Sequence, residues 1–206
     1  MVPLWGFVAV TIPLVLTPGA STAVVLRNSV EGGTRAGVVT AIGINTGSLC
    51  YGLLTAFGFA VALRQFPSVW SLLRVGGVAY LAWLGVQSLR KATSPGAGAL
   101  VTGEMRAAQG TWQNLSEGFV TNALNPAVAT FYLVLLPQFI PRDGPIIASA
   151  LTLTAVHIGI AVTWHITWAA AGGTLARTLA GGRPRQILEA VAGTALIALA
   201  ITIALS

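Results

Sequence analysis

The stretch LTPGAST, Leu16–Thr22, lies inside an apolar run that extends from about residue 4 to residue 26. Proline and glycine both disfavour the interior of a helix, because proline lacks an N–H donor and glycine adds backbone freedom. The chain around this stretch has 206 residues, of which 55% are hydrophobic and only 8% are charged. Soluble domains carry about 25% charged residues. Too few charges remain to cover a surface in water, so the sequence predicts an all-α integral membrane protein.

Five further apolar segments follow, at about 36–63, 69–89, 116–140, 145–171 and 187–205. Together with the first they predict six transmembrane helices, because each is long enough to cross a bilayer. The runs are too continuous for the alternating strands of a membrane barrel. The first run has no positively charged start and is too long for the apolar part of a signal peptide, so we interpret it as a span.

Lysine and arginine are unevenly distributed over the connections between these segments. Eight lie in the first, third and fifth connections: Arg27, Arg35, Arg90, Lys91, Arg106, Arg177, Arg183 and Arg185. Three lie on the other side: Arg64, Arg74 and Arg142. The bias predicts that the first, third and fifth connections face the cytoplasm and that both termini lie outside. Basic residues spread over short loops argue against a nucleic-acid partner.

The longest connection, about 91–115, divides the chain into two sets of three spans. It is rich in Gly, Ala, Ser and Thr, which predicts a mobile cytoplasmic segment. Because each set has an odd number of spans, the second must run opposite to the first. The sequence therefore predicts one transmembrane domain over 1–206, built from inverted three-helix repeats at about 1–90 and 116–206.

The first span of each repeat contains a proline after a residue type that caps helices, at Thr17–Pro18 and at Asn125–Pro126. This pair of residue types is a helix start signal. Spans 1 and 4 are therefore predicted to break at Pro18 and Pro126 and to restart inside the membrane. A kink used only for packing is the alternative, with Gly19 allowing close approach of helices.

Each restarted helix would present backbone amides to an anion, near Ala20 and Ser21 in span 1 and near Val128 and Ala129 in span 4. Each proline would also free a carbonyl, that of Leu14 or of Asn122, to accept from an ammonium group. An amino acid carries a carboxylate and an ammonium on one carbon. The breaks thus predict an amino-acid site at the midplane, with these candidate substrate-binding residues: Thr17, Pro18, Gly19, Ser21, Asn45, Asn122, Asn125 and Pro126. Asn45 and Asn122 are included because an amide side chain both donates and accepts hydrogen bonds.

Four stretches resemble the LysE/RhtB family of amino-acid exporters: LTPGASTAVVLRNSVEGGTRAG, YLAWLGVQSLRKA, NALNPAVATFYLVLLPQF and GTALIALAI. The resemblance covers nearly the whole chain. It implies a six-helix secondary exporter in a bacterial inner membrane, surrounded by lipid, that moves amino acids or related metabolites outward and is energised by an ion gradient. Members of the family often carry an acidic residue within span 2 or span 5, where this chain has Ser48 and His157.

His157 and Glu117 are the candidates for proton coupling, since histidine can titrate near neutral pH and Glu117 begins span 4. His165 fits a hydrogen-bonded packing histidine near a helix end, and its position between Trp164 and Trp168 also fits an aromatic belt at the membrane interface. The two histidines are eight residues apart, about 12 Å along a helix, which argues against a shared metal ion, and no other cofactor is predicted.

The predicted substrate is a neutral rather than a basic amino acid. An unpaired basic side chain at the midplane would cost at least about 2.5–3.5 kcal/mol, and the spans offer no central carboxylate. Glu117 lies just within reach of a long basic side chain. The proton is the expected coupling ion. A non-transporting assembly subunit and an exporter of another small zwitterion remain alternatives, an enzyme is not indicated, and a homodimer is left open.

Overall fold

The protein is a bundle of α-helices in the computed structural model. The structure describes residues 4–17, 19–65, 69–93, 109–141, 144–180 and 182–205, and these ranges contain no β-strand. The helices are α1 (Leu4–Leu16), α2 (Ala20–Gln65), α3 (Val69–Thr93), α4 (Thr111–Ala123), α5 (Pro126–Thr130), α6 (Ile146–Ala180) and α7 (Gly182–Leu205). A π-helical turn at Phe131–Leu135 and a 3₁₀ turn at Leu136–Phe139 continue α5. The prediction of an all-α protein is confirmed for these ranges.

Two of these helices contain stretches long and apolar enough to cross a membrane, at Ala20–Gly58 and Ile146–Ala171. A third candidate is the bent pair Thr111–Ala123 and Pro126–Phe139, whose axes meet at 55°. Leu4–Leu16 and Ala190–Thr202 are apolar but shorter. Helices therefore occupy all six predicted segments, and two of them, or three with the bent pair, satisfy the length and composition of a span.

The first predicted span is interrupted, because α1 ends at Leu16 and α2 begins at Ala20. The helix then continues past residue 26, where the sequence predicted its end, as far as a corner at Gly33. There φ is +77° and ψ is 174°, in a region that favours glycine. Arg27 and Glu31, predicted in a connection, thus lie in helix. We call residues 20–32 the first arm of α2 and residues 34–65 the second arm.

The fourth predicted span is also interrupted, between the end of α4 at Ala123 and the start of α5 at Pro126. The segment from Pro126 to Phe139 passes from α-helix to a π turn and then to a 3₁₀ turn, so its hydrogen-bond pattern changes twice along its length. Residues 111–115 of the connection predicted to be mobile are helical, and residues 94–108 of it lie outside the described residues.

The two interrupted segments run side by side in opposite directions. Phe7 of α1 contacts the far end of the second segment, with ring centroids 5.3 Å from Phe139 and 6.0 Å from Phe131. The first arm of α2 contacts its near end, where Ser21 meets Asn122 and Asn28 meets Glu117. The two segments are therefore antiparallel, and their two breaks lie near each other.

The other predicted spans pair in the same way. Along the interface of α2 with α6, Asn45 contacts His165 and Gly52 lies against Thr154, so these helices are antiparallel. Along the interface of α3 with α7, Gly85 lies against Ile197 and Leu89 lies against Gly193, again antiparallel. Each of the first three predicted spans thus pairs with the span three places later.

The second arm of α2 crosses α4 at very close range. A Cβ atom at Gly43 would overlap the carbonyl oxygen of Leu115, and one at Gly118 would overlap that of Thr40. Glycine at these two positions lets the backbones touch, as small residues do in membrane helix pairs. Gly58, further along the same arm, has no atom within 4 Å of its Cβ position, so it lies outside this close contact.

Candidate functional site

Three polar side chains connect the two interrupted helices. The Ser21 hydroxyl, in the first turn of α2, donates to Asn122 Oδ1 at 3.4 Å. The amide nitrogen of Asn122 donates to the Ser48 hydroxyl at 3.1 Å. Ser48 and Asn122 are almost fully buried, while Ser21 is half-buried. All three side chains are neutral, and they meet where both breaks approach the second arm of α2.

A tyrosine and a histidine extend this polar chain toward α6. The Tyr132 hydroxyl shares a 2.8 Å hydrogen bond with Nδ1 of His157 and lies near enough to Ser48 to interact with it electrostatically. The Tyr132 carbonyl accepts from the Thr55 hydroxyl at 3.0 Å, which satisfies a backbone group in the irregular π turn. The Phe131 ring lies over His157 with centroids 4.4 Å apart. His157 is therefore oriented by Tyr132 and shielded by Phe131.

The second histidine belongs to a separate contact between α2 and α6. Asn45 donates from Nδ2 to the Ala41 carbonyl at 2.7 Å and contacts Nδ1 of His165 at 3.3 Å. Both side chains are buried inside the protein. The interpretation of His165 as a hydrogen-bonded packing histidine agrees with this contact, although His165 faces α2 in the interior of α6, which continues to Ala180, and does not lie near a helix end.

An ion pair lies further along the first arm of α2, two helical turns beyond Ser21. Arg27 contacts Oε1 of Glu117, and Asn28 donates to its Oε2 at 3.0 Å. The Asn28 amide also donates to the Thr40 hydroxyl at 2.9 Å. Glu117, predicted at the start of span 4 as a candidate for proton coupling, thus contacts a cation and an amide from the other half of the chain.

The predicted residues at the first break are only partly brought together. Ser21 takes part in the contact with Asn122, but Thr17 does not cap α2 as predicted. Its hydroxyl donates instead to the Pro13 carbonyl at 2.8 Å, because Thr17 closes the last turn of α1. Gly19 takes the capping position, since its carbonyl accepts from the Ala23 amide at 2.9 Å. Pro18, with the freed Leu14 carbonyl predicted from it, lies outside the described residues.

The second break has the predicted cap but not the predicted free groups. Asn125 accepts from the Ala127 amide at 3.0 Å through its side chain, and Pro126 occupies the first helical position. The Ala129 amide donates to the Asn125 carbonyl. The Asn122 carbonyl, predicted to be free, accepts from the Asn125 amide at 3.1 Å because the chain tightens before the break. The backbone amides without a partner at the start of a long helix are therefore those of α2, because α5 has only five residues.

The sequence interpretation did not include Tyr132, Asn28 or Thr40 as site residues. Tyr132 had a usable signal, because a tyrosine inside an apolar span needs a partner for its hydroxyl. Asn28 and Thr40 lay outside or at the edge of the predicted spans, so their burial could not be anticipated. Within the described ranges, no three His, Cys, Asp or Glu side chains lie close enough together to hold a metal ion.

Comparison with known proteins identifies relatives over most of the chain. Membrane protein YahN of Escherichia coli is 27% identical over 85% of this chain and 77% of its own length. A homoserine/homoserine lactone efflux protein of Salmonella typhimurium is 25% identical over 88% of this chain and 85% of its own. A leucine efflux protein of the same organism is 30% identical over 68% of this chain and 65% of its own.

No solved structure matches the chain significantly. Residues 12–206, which include both helix breaks and every polar contact described above, match the family of LysE type translocators. The chain therefore belongs to the LysE type translocator family.

Proposed function

We propose that this protein is a secondary exporter that moves neutral amino acids from the cytoplasm to the outside of a bacterial inner membrane. The observation that carries the proposal is the Ser21–Asn122 contact, which joins two interrupted helices at a buried neutral polar centre. Helices interrupted near the midplane are the usual substrate sites of secondary transporters. Relatives named for efflux of homoserine and of leucine support the same function.

The first turn of α2 is the proposed carboxylate site. The helix begins at Ala20, so the amides of residues 20–22 have no partner within the helix. These amides and the helix dipole favour an anion. The side chains of Ser21 and Asn122 add a hydroxyl and an amide beside them. An ammonium group on the same carbon would be bound by acceptor oxygens of Asn122 and Ser48.

The charge distribution supports a neutral substrate. Glu117 is the carboxylate closest in sequence to Asn122, five residues or about 7.5 Å along α4. It already contacts Arg27 and accepts from Asn28. A lysine or arginine substrate would have to displace Arg27 to reach it, so a basic side chain would have no ready counter-charge.

His157 is the proposed carrier of the coupling proton. It is a buried titratable side chain connected to the Ser21–Asn122 contact through Tyr132 and Ser48. A change in the hydrogen bonds of Asn122 when substrate binds would therefore reach His157 through two intervening hydroxyl groups.

The proposed topology has six spans in two inverted halves, with both termini outside. The antiparallel pairing of each early span with the span three places later supports it, since this is the arrangement that a two-fold axis in the membrane plane generates. The test is labelling in a Cys50→Ser background. A cysteine added after Ser206 should react with an impermeant reagent from outside, and Ala97→Cys should not; the reverse pattern would refute the orientation.

Efflux from vesicles tests the function directly. Purified protein should release preloaded labelled leucine or threonine under an imposed proton gradient, and excess unlabelled leucine or threonine should compete while lysine should not. Ser21→Ala should slow efflux about twofold to tenfold through the loss of one hydrogen bond. Ser116→Ala, which removes a hydroxyl that donates to the local Gln113 carbonyl, is the matched control. Absence of amino-acid efflux would favour the assembly subunit, and efficient competition by lysine would refute the neutral preference.

A further inference from the structure

A second group of buried polar atoms lies between α2 and α6, one helical turn from Ser48. Three of its atoms are buried and have no hydrogen-bond partner among the described residues: Oδ1 of Asn45, Nε1 of Trp164 and Nε1 of Trp168. Buried polar side chains are nearly always paired, and each exception calls for an explanation. Asn45 and Trp168 are more than nine-tenths buried.

The orientation of the Asn45 amide is determined by its neighbours. Its Nδ2 faces the Ala41 carbonyl, which can only accept, so the nitrogen and not the oxygen must be on that side. The same nitrogen faces Nδ1 of His165, which must then be the accepting ring nitrogen. Both N–H groups of Asn45 are used, and Oδ1 remains as an acceptor.

The two indoles contribute donors to the same region. Trp168 packs into the cluster formed by Val25, Leu26, Ala41, Ile44 and Ala169, and Trp164 borders that cluster. The rings of Trp164 and Trp168 meet edge to face at 5.5 Å. An indole N–H can only donate. Trp164 directly precedes His165, which contacts Asn45, so this part of the interface between α2 and α6 contains one acceptor and two donors without partners among the described residues.

A hydroxyl group on a substrate, like a water molecule, fits this combination, because it accepts from an indole and donates to Asn45 Oδ1. A carboxylate could not donate to the Asn45 oxygen, and an ammonium group could not accept from the indoles. A methyl group would leave all three atoms without partners.

The group lies close to the proposed carboxylate site. Asn45 and Ser48 are three residues apart on α2, which separates them by about 4.5 Å along the axis and about 60° around it. Ser48 accepts from Asn122, the residue that Ser21 contacts. An amino acid held at Ser21 and Asn122 can therefore extend its side chain along α2 toward Asn45.

We propose that Asn45, Trp164 and Trp168 form a side-chain subsite that selects a hydroxyl group on the substrate. The inference rests on the proposed export of neutral amino acids and narrows it: hydroxylated amino acids are exported faster than aliphatic ones of the same size.

Threonine and valine form the matched test pair, since they differ by a hydroxyl in place of a methyl group. Initial efflux rates of both are measured from vesicles containing wild-type protein, Trp164→Phe or Trp168→Phe. Each substitution should lower the threonine-to-valine ratio about twofold to tenfold, through the loss of one hydrogen bond. Trp5→Phe, at an exposed position of α1, should keep the wild-type ratio.

Two outcomes would overturn the subsite. The first, which can be observed without any variant, is that the wild-type protein exports valine at least as fast as threonine. The other is an equal change in both rates in the phenylalanine variants, which would mean that the indoles only support packing or hold a water molecule. A wild type that exports neither amino acid would refute the proposed function instead. In that case thermal stabilisation of the purified protein by threonine against valine still tests the subsite, and equal or absent stabilisation overturns it.

Discussion

Alanine at Gly43 or Gly118 should destabilise the protein, because each glycine lies where the backbones of α2 and α4 touch. A Cβ at Gly43 would overlap the Leu115 carbonyl oxygen, and a Cβ at Gly118 would overlap the Thr40 carbonyl oxygen. Backbone atoms cannot rotate aside as a flexible side chain can, so the two helices would have to separate.

The magnitude follows from two opposing effects. Overpacking costs about 1–3 kcal/mol, and contact with backbone puts these sites at the upper end of that range. Replacing a helical glycine by alanine stabilises the helix by about 1 kcal/mol. The net loss should be about 2 kcal/mol, equivalent to a lowering of Tm by roughly 4–8 °C for a chain of this length.

Thermal unfolding in detergent, followed by tryptophan fluorescence and size exclusion, measures this loss. Gly58→Ala is the matched control, because no atom lies within 4 Å of its Cβ position and only the helix propensity changes. Its Tm should equal or exceed that of the wild type. If Gly43→Ala and Gly118→Ala have the same Tm as Gly58→Ala, the close contact between the backbones of α2 and α4 would be refuted.

Three further predictions concern the second break, the half-buried ion pair of Arg27 with Glu117, and the buried His157. Asn125→Ala should cost about 1 kcal/mol through the loss of the cap on Ala127, whereas Asn125→Ser should keep most of the stability; equal Tm values for the two variants would contradict the capping role. Arg27→Met and Glu117→Gln should each lower the free energy of unfolding by about 1 kcal/mol, because each removes one partner of the ion pair. In a double-mutant cycle, the double variant should lose less stability than the sum of the two single variants. Strictly additive losses would mean that the ion pair contributes nothing to stability. His157→Gln should uncouple efflux from an imposed proton gradient while substrate exchange continues, and coupling that persists would redirect attention to His165 or Glu117.

The breaks in the helices could be predicted from the sequence because their signals are local. Asn125 followed by Pro126 has the chemistry of a cap and a first helical residue, and the structure has both there. Thr17 followed by Pro18 carries the same signal, yet Thr17 bonds backward to Pro13. A threonine hydroxyl can serve the helix before it or the helix after it, and sequence alone does not distinguish these two partners.

The contacts that join the two halves could not be predicted, since their partners are far apart in the chain. Ser21 and Asn122 are separated by 101 residues, and Arg27 and Glu117 by 90. The charge of Arg27 also suggested a loop, and the run of apolar residues appeared to end there. Its pairing with Glu117 allows the helix to continue to Gly33, where the glycine and not the arginine ends the arm.

The corner at Gly33 has a mechanical consequence. The two arms of α2 are fastened close to this corner by the hydrogen bond from Asn28 to Thr40 and by the tight fit of Ser29 against Gly37. Because the two arms of this hairpin are joined so close to the bend, we expect them to move as one rigid unit. A displacement of the first arm would then also displace the second arm. Helix α1 ends at Leu16 and helix α2 begins at Ala20, so the two are separate helices. Rocking of α1 against this hairpin would therefore act on the chain between the end of α1 and the start of α2, one residue before Ser21.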